Sequence, residues 1–276
     1  MNSIYNFWWN LVSNKDLFLK SESLANFPFD YSLFSYARTG RCFPNFSIKV
    51  NDEKSIFTGG EMVKIKNRNK YLIAPFKSSI PVGRMDIKDF VNYPLNQRIK
   101  RQMENAGDDV FSLEEREVYY LVRGRKGKAQ KICLVHGSFF ETISAKELIR
   151  QSFKQVLDEN LAGKEIPDEI RSQLEEVLSD QEDFSRARNV DKASVKLRFR
   201  VMTEVKPEGN ILSPTHYPEI KDNTLNLVVP YHSEDEKADI LQKFEFVVGE
   251  KAMKSIDTFS LKHPLNGWFV IFQVNL

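Results

Sequence analysis

Two runs rich in β-branched and aromatic residues, "VYYLVRG" at residues 118–124 and "KICLVHGSFF" at residues 131–140, constrain the fold most. The basic turn "RKGKAQ" joins them, so they read as paired core strands. Directly after them Ser144-x-x-Glu147 forms a capping box at the head of "AKELIRQSFKQVLDENL". Leu148, Ile149, Phe153, Val156 and Leu157 make that segment's helical stripe. A sheet with a helix following it is therefore the framework for the rest.

Earlier in the chain, Ile4, Phe7, Trp8, Leu11 and Val12 recur at spacings of three and four, which predicts a short amphipathic helix. The aromatic run "FPFDYSLFSYARTGR" is expected to be a packed loop or short strand. Phe46, Ile48 and Val50 alternate as on a strand, "NDEKS" is a polar turn, and "IFTGGEMVKIKNRNKYLIAPF" returns. This is a hairpin, with Gly59-Gly60 marking a bulge or a close approach. Pro94 divides the segment from Met85 to Asn105 into two helical pieces. A second helix is expected over residues 167–178, a linker within "SDQEDFSRARNVDK", strands at "SVKLRFRVM", "TLNLVV" and "GWFVIFQV", and a helix starting at Ser233.

That order predicts an α/β protein with a mixed sheet flanked by helices. With 276 residues the chain is long enough for a main core and a smaller lobe. The boundary is expected near residue 180: a core over 1–180 and a C-terminal α+β lobe over 181–276, supplying specificity or dimer contacts. Hydrophobic content of 41% and charged content of 28% are those of an ordinary folded domain, which argues against disorder.

The opening "MNSIYNFWWNLVSN" lacks a basic leading segment and a small-residue cleavage site, and its apolar run is too short to span a bilayer. A cytoplasmic protein without a membrane partner is the expectation. Cys42 and Cys133 are far apart, without metal-ligand spacing, and read as buried thiols. No GxGxxG, Walker-type loop or GxSxG occurs, which argues against nucleotide-cofactor and α/β-hydrolase readings. His136, His216, His232 and His263 show no close metal spacing; His136, at a strand end near Glu141, reads as a structural hydrogen-bonding residue before a catalytic one. The aromatics read as core.

A net charge of +2 is too mild to identify a partner by itself, so the placement of the cations carries the argument. Lys64, Lys66, Arg68 and Lys70 alternate along one strand and form one positive face, which is either a solvated strand face or a stripe for phosphates. Arg98, Lys100 and Arg101 form a second cluster, and Arg123, Arg125, Lys126 and Lys128 a third. Together they point toward DNA.

The hairpin "RCFPNFSIKVNDEKSIFTGGEMVKIKNRNK" resembles the PD-(D/E)xK site of type II restriction endonucleases, over residues 43–140. The resemblance implies Mg²⁺-dependent, site-specific hydrolysis of double-stranded DNA, in which a metal held by carboxylates works with a lysine. It makes Lys66 the catalytic lysine, and Asn45, Glu61 and Lys64 the lining of the site. Arg68 and Lys70 go to phosphate, and Asn45 and Glu61 are the candidate metal ligands. A homodimer follows from the need to cut two strands symmetrically. The departures are explicit: Asn45 and Lys64 stand where the family has acids, and by alternation Glu61 faces away from Lys66. A nuclease-like DNA-binding protein without chemistry, and an α/β interaction protein unrelated to DNA, are the alternatives.

A literal acid-to-ExK match, Asp191 with Glu204-Val205-Lys206, is ranked lower. Its interval is expected to be extended, separating the acids by up to roughly 40 Å at about 3.3 Å per residue.

Overall fold

The computed structural model describes residues 2–30, 34–36, 44–48, 61–73, 76–77, 84–86, 100–101, 104–105, 115–140, 145–161, 163–164, 167–179, 190–192, 195–197, 202–203 and 205–276. The chain begins with helices α1 (Asn2–Ser13) and α2 (Asp16–Lys20), then strands β1 (Phe34–Tyr36), β2 (Phe46–Ile48) and β3 (Met62–Arg68). Short strands β4 (Phe76–Lys77) and β5 (Arg84–Asp86) precede the long hairpin of β6 (Glu115–Lys126) and β7 (Ala129–His136). Helices α3 (Ala145–Leu161) and α4 (Asp168–Ser179) follow, then β8 (Val190–Lys192), β9 (Val195–Leu197) and β10 (Met202–Thr203). The chain ends with β11 (Thr224–Tyr231), α5 (Glu234–Val248), α6 (Glu250–Met253), β12 (Asp257–His263) and β13 (Gly267–Asn275).

The chain divides into two compact units. The first, residues 1–74, 81–141 and 205–276, is built on a mixed sheet ordered β1-β2-β3-β6-β7-β11-β13-β12, with β5 added against β6. β1, β2 and β3 form an antiparallel meander, β3 runs parallel to β6, and β7 parallel to β11. An α/β mixed sheet flanked by helices is thus the architecture. The expected boundary at residue 180 is corrected: β11, β12 and β13 belong to the main sheet, because their apolar runs pair with β7 and with each other.

Central strands β6 and β7 are buried almost throughout, as strands covered on both faces must be. On one face Val63, Tyr119, Leu121, Leu134, Leu227 and Phe272 meet α1 and α5. Phe244 of α5 stacks on Phe272 with ring centroids 3.6 Å apart, and Tyr5 of α1 meets Phe244 edge-on at 5.5 Å. The other face is covered by residues 205–223, where Tyr217 and Phe139 pack edge-on at 5.4 Å and Phe139 meets Phe269 at 4.9 Å. Asn223 joins three strands from a left-handed φ of 57°. Its N–H donates to Gln130 O, its Oδ1 accepts from Gln130 N, and its carbonyl accepts from Leu276 N. Asparagine tolerates that conformation where most side chains do not.

Ser233 caps α5 as the sequence predicts, its Oγ accepting from Glu236 N at 3.1 Å, while Glu236 Oε2 accepts from His232 N at 2.7 Å.

The second unit, residues 75–80 and 142–204, contains the α3–α4 hairpin, the β4–β10 pair and the β8–β9 pair. Arg171 of α4 donates to Asp158 Oδ1 of α3 at 3.0 Å. Lys192 pairs with Val195, so the chain turns back after β8; the extended interval expected beyond Asp191 is corrected. The capping Ser144, the Gly59-Gly60 bulge, Pro94, Cys42 and the linker at 180–189 lie outside the described residues.

Candidate nucleic-acid interface

β3 carries the expected site residues on two opposite faces. Glu61, just before the strand, shares the helix-covered face with Val63 and is 2% exposed. Its carboxylate accepts from Ser3 Oγ of α1 at 2.5 and 2.6 Å. Lys64 and Lys66 point to the other face, beside Tyr120 and Val122 of β6; Lys64 is buried and Lys66 half-buried. Asn45 continues the β2–β3 ladder beyond Phe46. Its N–H donates to Val63 O at 2.8 Å, and its Oδ1 accepts from Ile65 N at 2.8 Å.

The expected metal ligands do not fit a divalent cation. The amide oxygen of Asn45 is engaged by a backbone N–H, Glu61 is turned toward α1, and the buried Lys64 follows Glu61 by three residues. Among the described residues, no three His, Cys, Asp or Glu side chains gather to hold a metal ion.

The cationic residues gather at the other end of β3 from both faces of the sheet, Arg68 and Lys126 on one and Arg125, like Arg123, on the α2 face. Because β3 and β6 are parallel, their C-terminal ends lie together, with Arg68 opposite Gly124. β6 then runs through Arg125 and Lys126 into the turn at Gly127 and Lys128. The segment that leaves β3 passes close by this point: a Cβ built on Gly124 would lie 3.0 Å from Lys70 O and 2.9 Å from the Tyr71 ring. Only glycine admits that approach. Arg125 donates to Ser21 O at the end of α2, which brings Lys20 to the same end of the sheet.

Lys20, Lys70, Lys126 and Lys128 are exposed there, and Arg68 and Arg125 half-buried. Among the described residues none of these six side chains forms an ion pair. Asp222 at this end is engaged by the Tyr71 hydroxyl at 2.9 Å and by Lys131 Nζ at 3.8 Å. Lys131 is itself buried, and burial lowers its pKa against the opposing pull of Asp222.

Arg123 is corrected as a phosphate contact. It is fully buried and points to the opposite face, where it closes the C-terminal end of α2. Nη1 donates to Phe18 O at 3.2 Å and Ser21 O at 2.8 Å, Nη2 to Glu22 O at 2.6 Å, and Nε to Asn67 Oδ1 at 2.7 Å. Burial, with the Arg125 cation nearby, lowers its guanidinium to about 10, so it remains charged at neutral pH. Gly124 is a buried strand residue, whereas Gly127 in the turn has a positive φ of 62°.

In the second cluster, Lys100 lies 3.5 Å from Glu104 and Arg101 is exposed, both on helical backbone, while Arg98 falls outside the described residues. His136 is structural: its Nδ1 accepts from Ser138 N and lies 2.7 Å from Ser138 Oγ. Cys133 is a buried free thiol, which burial pushes up to about 12. Lys20 escaped the sequence reading because its neighbours across the sheet are about a hundred residues away.

Among the described residues no helix is long and apolar enough to cross a membrane. Comparison of the chain with protein-family models, with curated proteins and with solved structures finds no match in any of the three.

Proposed function

We propose that this chain is a restriction-type endonuclease that takes double-stranded DNA at the cationic end of its main sheet. The observation that carries the reading is the gathering of Lys20, Arg68, Lys70, Arg125, Lys126 and Lys128 there, with no acid paired to any of them among the described residues. Cations held at the ends of strands and in a tight turn suit the phosphate backbone, whose binding releases counterions and so depends on salt. Lys66 lies two positions before Arg68 on the same face, about 6.6 Å along the strand, within reach of a phosphate that Arg68 holds. It is the residue assigned to the chemistry. Mg²⁺ is the cofactor that such chemistry would call for, although Asn45 and Glu61 do not fit it as ligands.

A second reading, duplex binding without cleavage, is favoured by the Ser3–Glu61 bond, which turns that carboxylate to the face opposite Lys66. One experiment separates the two. Mixed plasmid and phage DNA is incubated with the purified chain in Mg²⁺ or in EDTA, and the products are run on denaturing and native gels. Discrete Mg²⁺-dependent fragments, lost in Lys66→Ala, are the expected result. A shifted but intact duplex establishes the second reading. DNA neither shifted at low salt nor cut overturns both.

A further inference from the structure

Leu72 is 59% exposed, yet the chain on both sides of it is fixed. The Tyr71 carbonyl, in the peptide that joins the two residues, accepts from Asn210 Nδ2 at 2.9 Å, and the Tyr71 hydroxyl donates to Asp222 Oδ1 at 2.9 Å. The Tyr71 ring lies against Gly124, and Ile73 is buried. Tyr71 and Ile73 are thus drawn into the protein, and Leu72 is left outside between them.

A lone exposed leucine is ordinary on a protein surface; its surroundings set this one apart. Lys70 lies two residues before it. Arg68 stands opposite Gly124, and Lys126 follows Gly124 by two residues on the same face of β6. Among the described residues these three cations form no ion pair. Their charge calls for an anionic partner, and Leu72 calls for an apolar place within it. A bilayer or a protein partner is held by a broad apolar face, which one leucine does not provide. A base step needs only a single wedge, a Leu, Ile, Met or Phe side chain that enters between stacked bases while nearby cations hold the phosphates. Such a wedge must not yield, and the bonds of Tyr71 to Asn210 and Asp222 supply that rigidity.

We propose that Leu72 enters the duplex between adjacent base pairs, partly unstacks them and kinks the DNA at the cationic end of the sheet. This rests on the duplex-binding reading above, with or without cleavage. Bending is measured in EDTA, so that no strand is cut, on a short duplex with a fluorophore at each end and one central TA step, which unstacks readily. Wild type and Leu72→Met are expected to bring the duplex ends closer, as a kink of about 20–90° does. Leu72→Ala should bind with the same dependence on salt and leave the duplex straight. Leu265→Ala trims a similarly exposed leucine, at 55%, beyond the opposite end of the sheet, and should bend DNA as the wild type does. A wild type that binds without bending, or a Leu72→Ala variant that bends fully, overturns the wedge and leaves the duplex reading intact. No binding at low salt overturns both. Sedimentation with phosphatidylserine vesicles, lost in Leu72→Ala, would then assign the leucine to a lipid surface.

Discussion

The hydroxyl of Ser3, in the first turn of α1, donates to both carboxylate oxygens of Glu61, 58 residues later at the threshold of β3. This bond ties the first helix to the strand that carries the candidate lysines. Ser3→Ala removes a buried donor from a buried carboxylate and is expected to cost about 1–3 kcal/mol, read from the midpoint of urea unfolding. Glu61→Gln keeps an acceptor for Ser3 and should cost less. It also tests the metal assignment. If Glu61 only anchors α1, Glu61→Gln leaves any Mg²⁺-dependent cleavage intact; a complete loss of cutting in a folded variant would make Glu61 a ligand after all.

Arg123 serves α2 as a side-chain cap from within β6. Arg123→Met would leave the carbonyls of Phe18, Ser21 and Glu22 and the amide of Asn67 without their cationic donor, inside the protein. A loss of about 3 kcal/mol is expected. The salt dependence of DNA binding by the remaining folded protein should not change, since the guanidinium never reaches solvent. A slope reduced by about one, with stability untouched, would return Arg123 to the phosphate-binding set.

Stability should fall in mild acid because of His263. Its Nδ1 accepts from Leu265 N at 3.1 Å and Asn266 N at 3.0 Å, so the ring must be neutral at that nitrogen. Burial lowers its pKa below the ordinary value of 6.5, although the Glu208 carbonyl opposes the shift. The unfolded chain then binds the extra proton first. The contribution is complete above about pH 6.5 and is lost as pH falls from there through the lowered folded-state value. Urea midpoints of wild type and His263→Asn should converge between pH 7 and pH 5. Parallel pH profiles would mean that another group governs acid sensitivity.

Much of this fold was legible because its core strands and helices are local patterns. The β6–β7 hairpin, α3, and α5 with its Ser233 cap all follow from periodicity and capping within a dozen residues. Pairing across the chain was not legible. β11 joins β7 in parallel from more than ninety residues away, which no local pattern records, and so the lobe boundary was misplaced. β12 was missed because its alternation is short: only Phe259 and Leu261 are apolar, set between Thr258, Ser260 and Lys262. At the site, alternation correctly set Glu61 opposite Lys66. Burial of Arg123 could not be foreseen, because its partners are carbonyls about a hundred residues earlier.

The cationic end of the sheet predicts a graded response to charge removal. Lys70→Ala, Lys126→Ala and Lys128→Ala should each weaken duplex binding and lower the slope of log K against log salt by about 0.9, uniformly across DNA sequences. Lys243→Ala, which removes a cation already paired with Asp239 at 2.6 Å on α5, should change neither. Equal effects from all four substitutions would indicate attraction to the molecule as a whole and not to one surface.

Gly124 links the packing of the sheet to that surface. An added Cβ would meet Leu212 Cδ1 at 2.8 Å, the Tyr71 ring at 2.9 Å and the Lys70 carbonyl at 3.0 Å, and the last is backbone that cannot swing aside. Gly124→Ala is therefore expected to destabilise by about 1–3 kcal/mol, as overpacking does, and to lift the segment carrying Lys70 and Tyr71. DNA affinity should fall with it, while Ser3→Ala, of similar cost but at the far end of β3, should leave affinity unchanged. Both variants are compared at low temperature, where each is folded. If Gly124→Ala loses stability but binds DNA like the wild type, the Lys70 segment is not part of the contact, and the turn at Lys126 and Lys128 carries the binding alone.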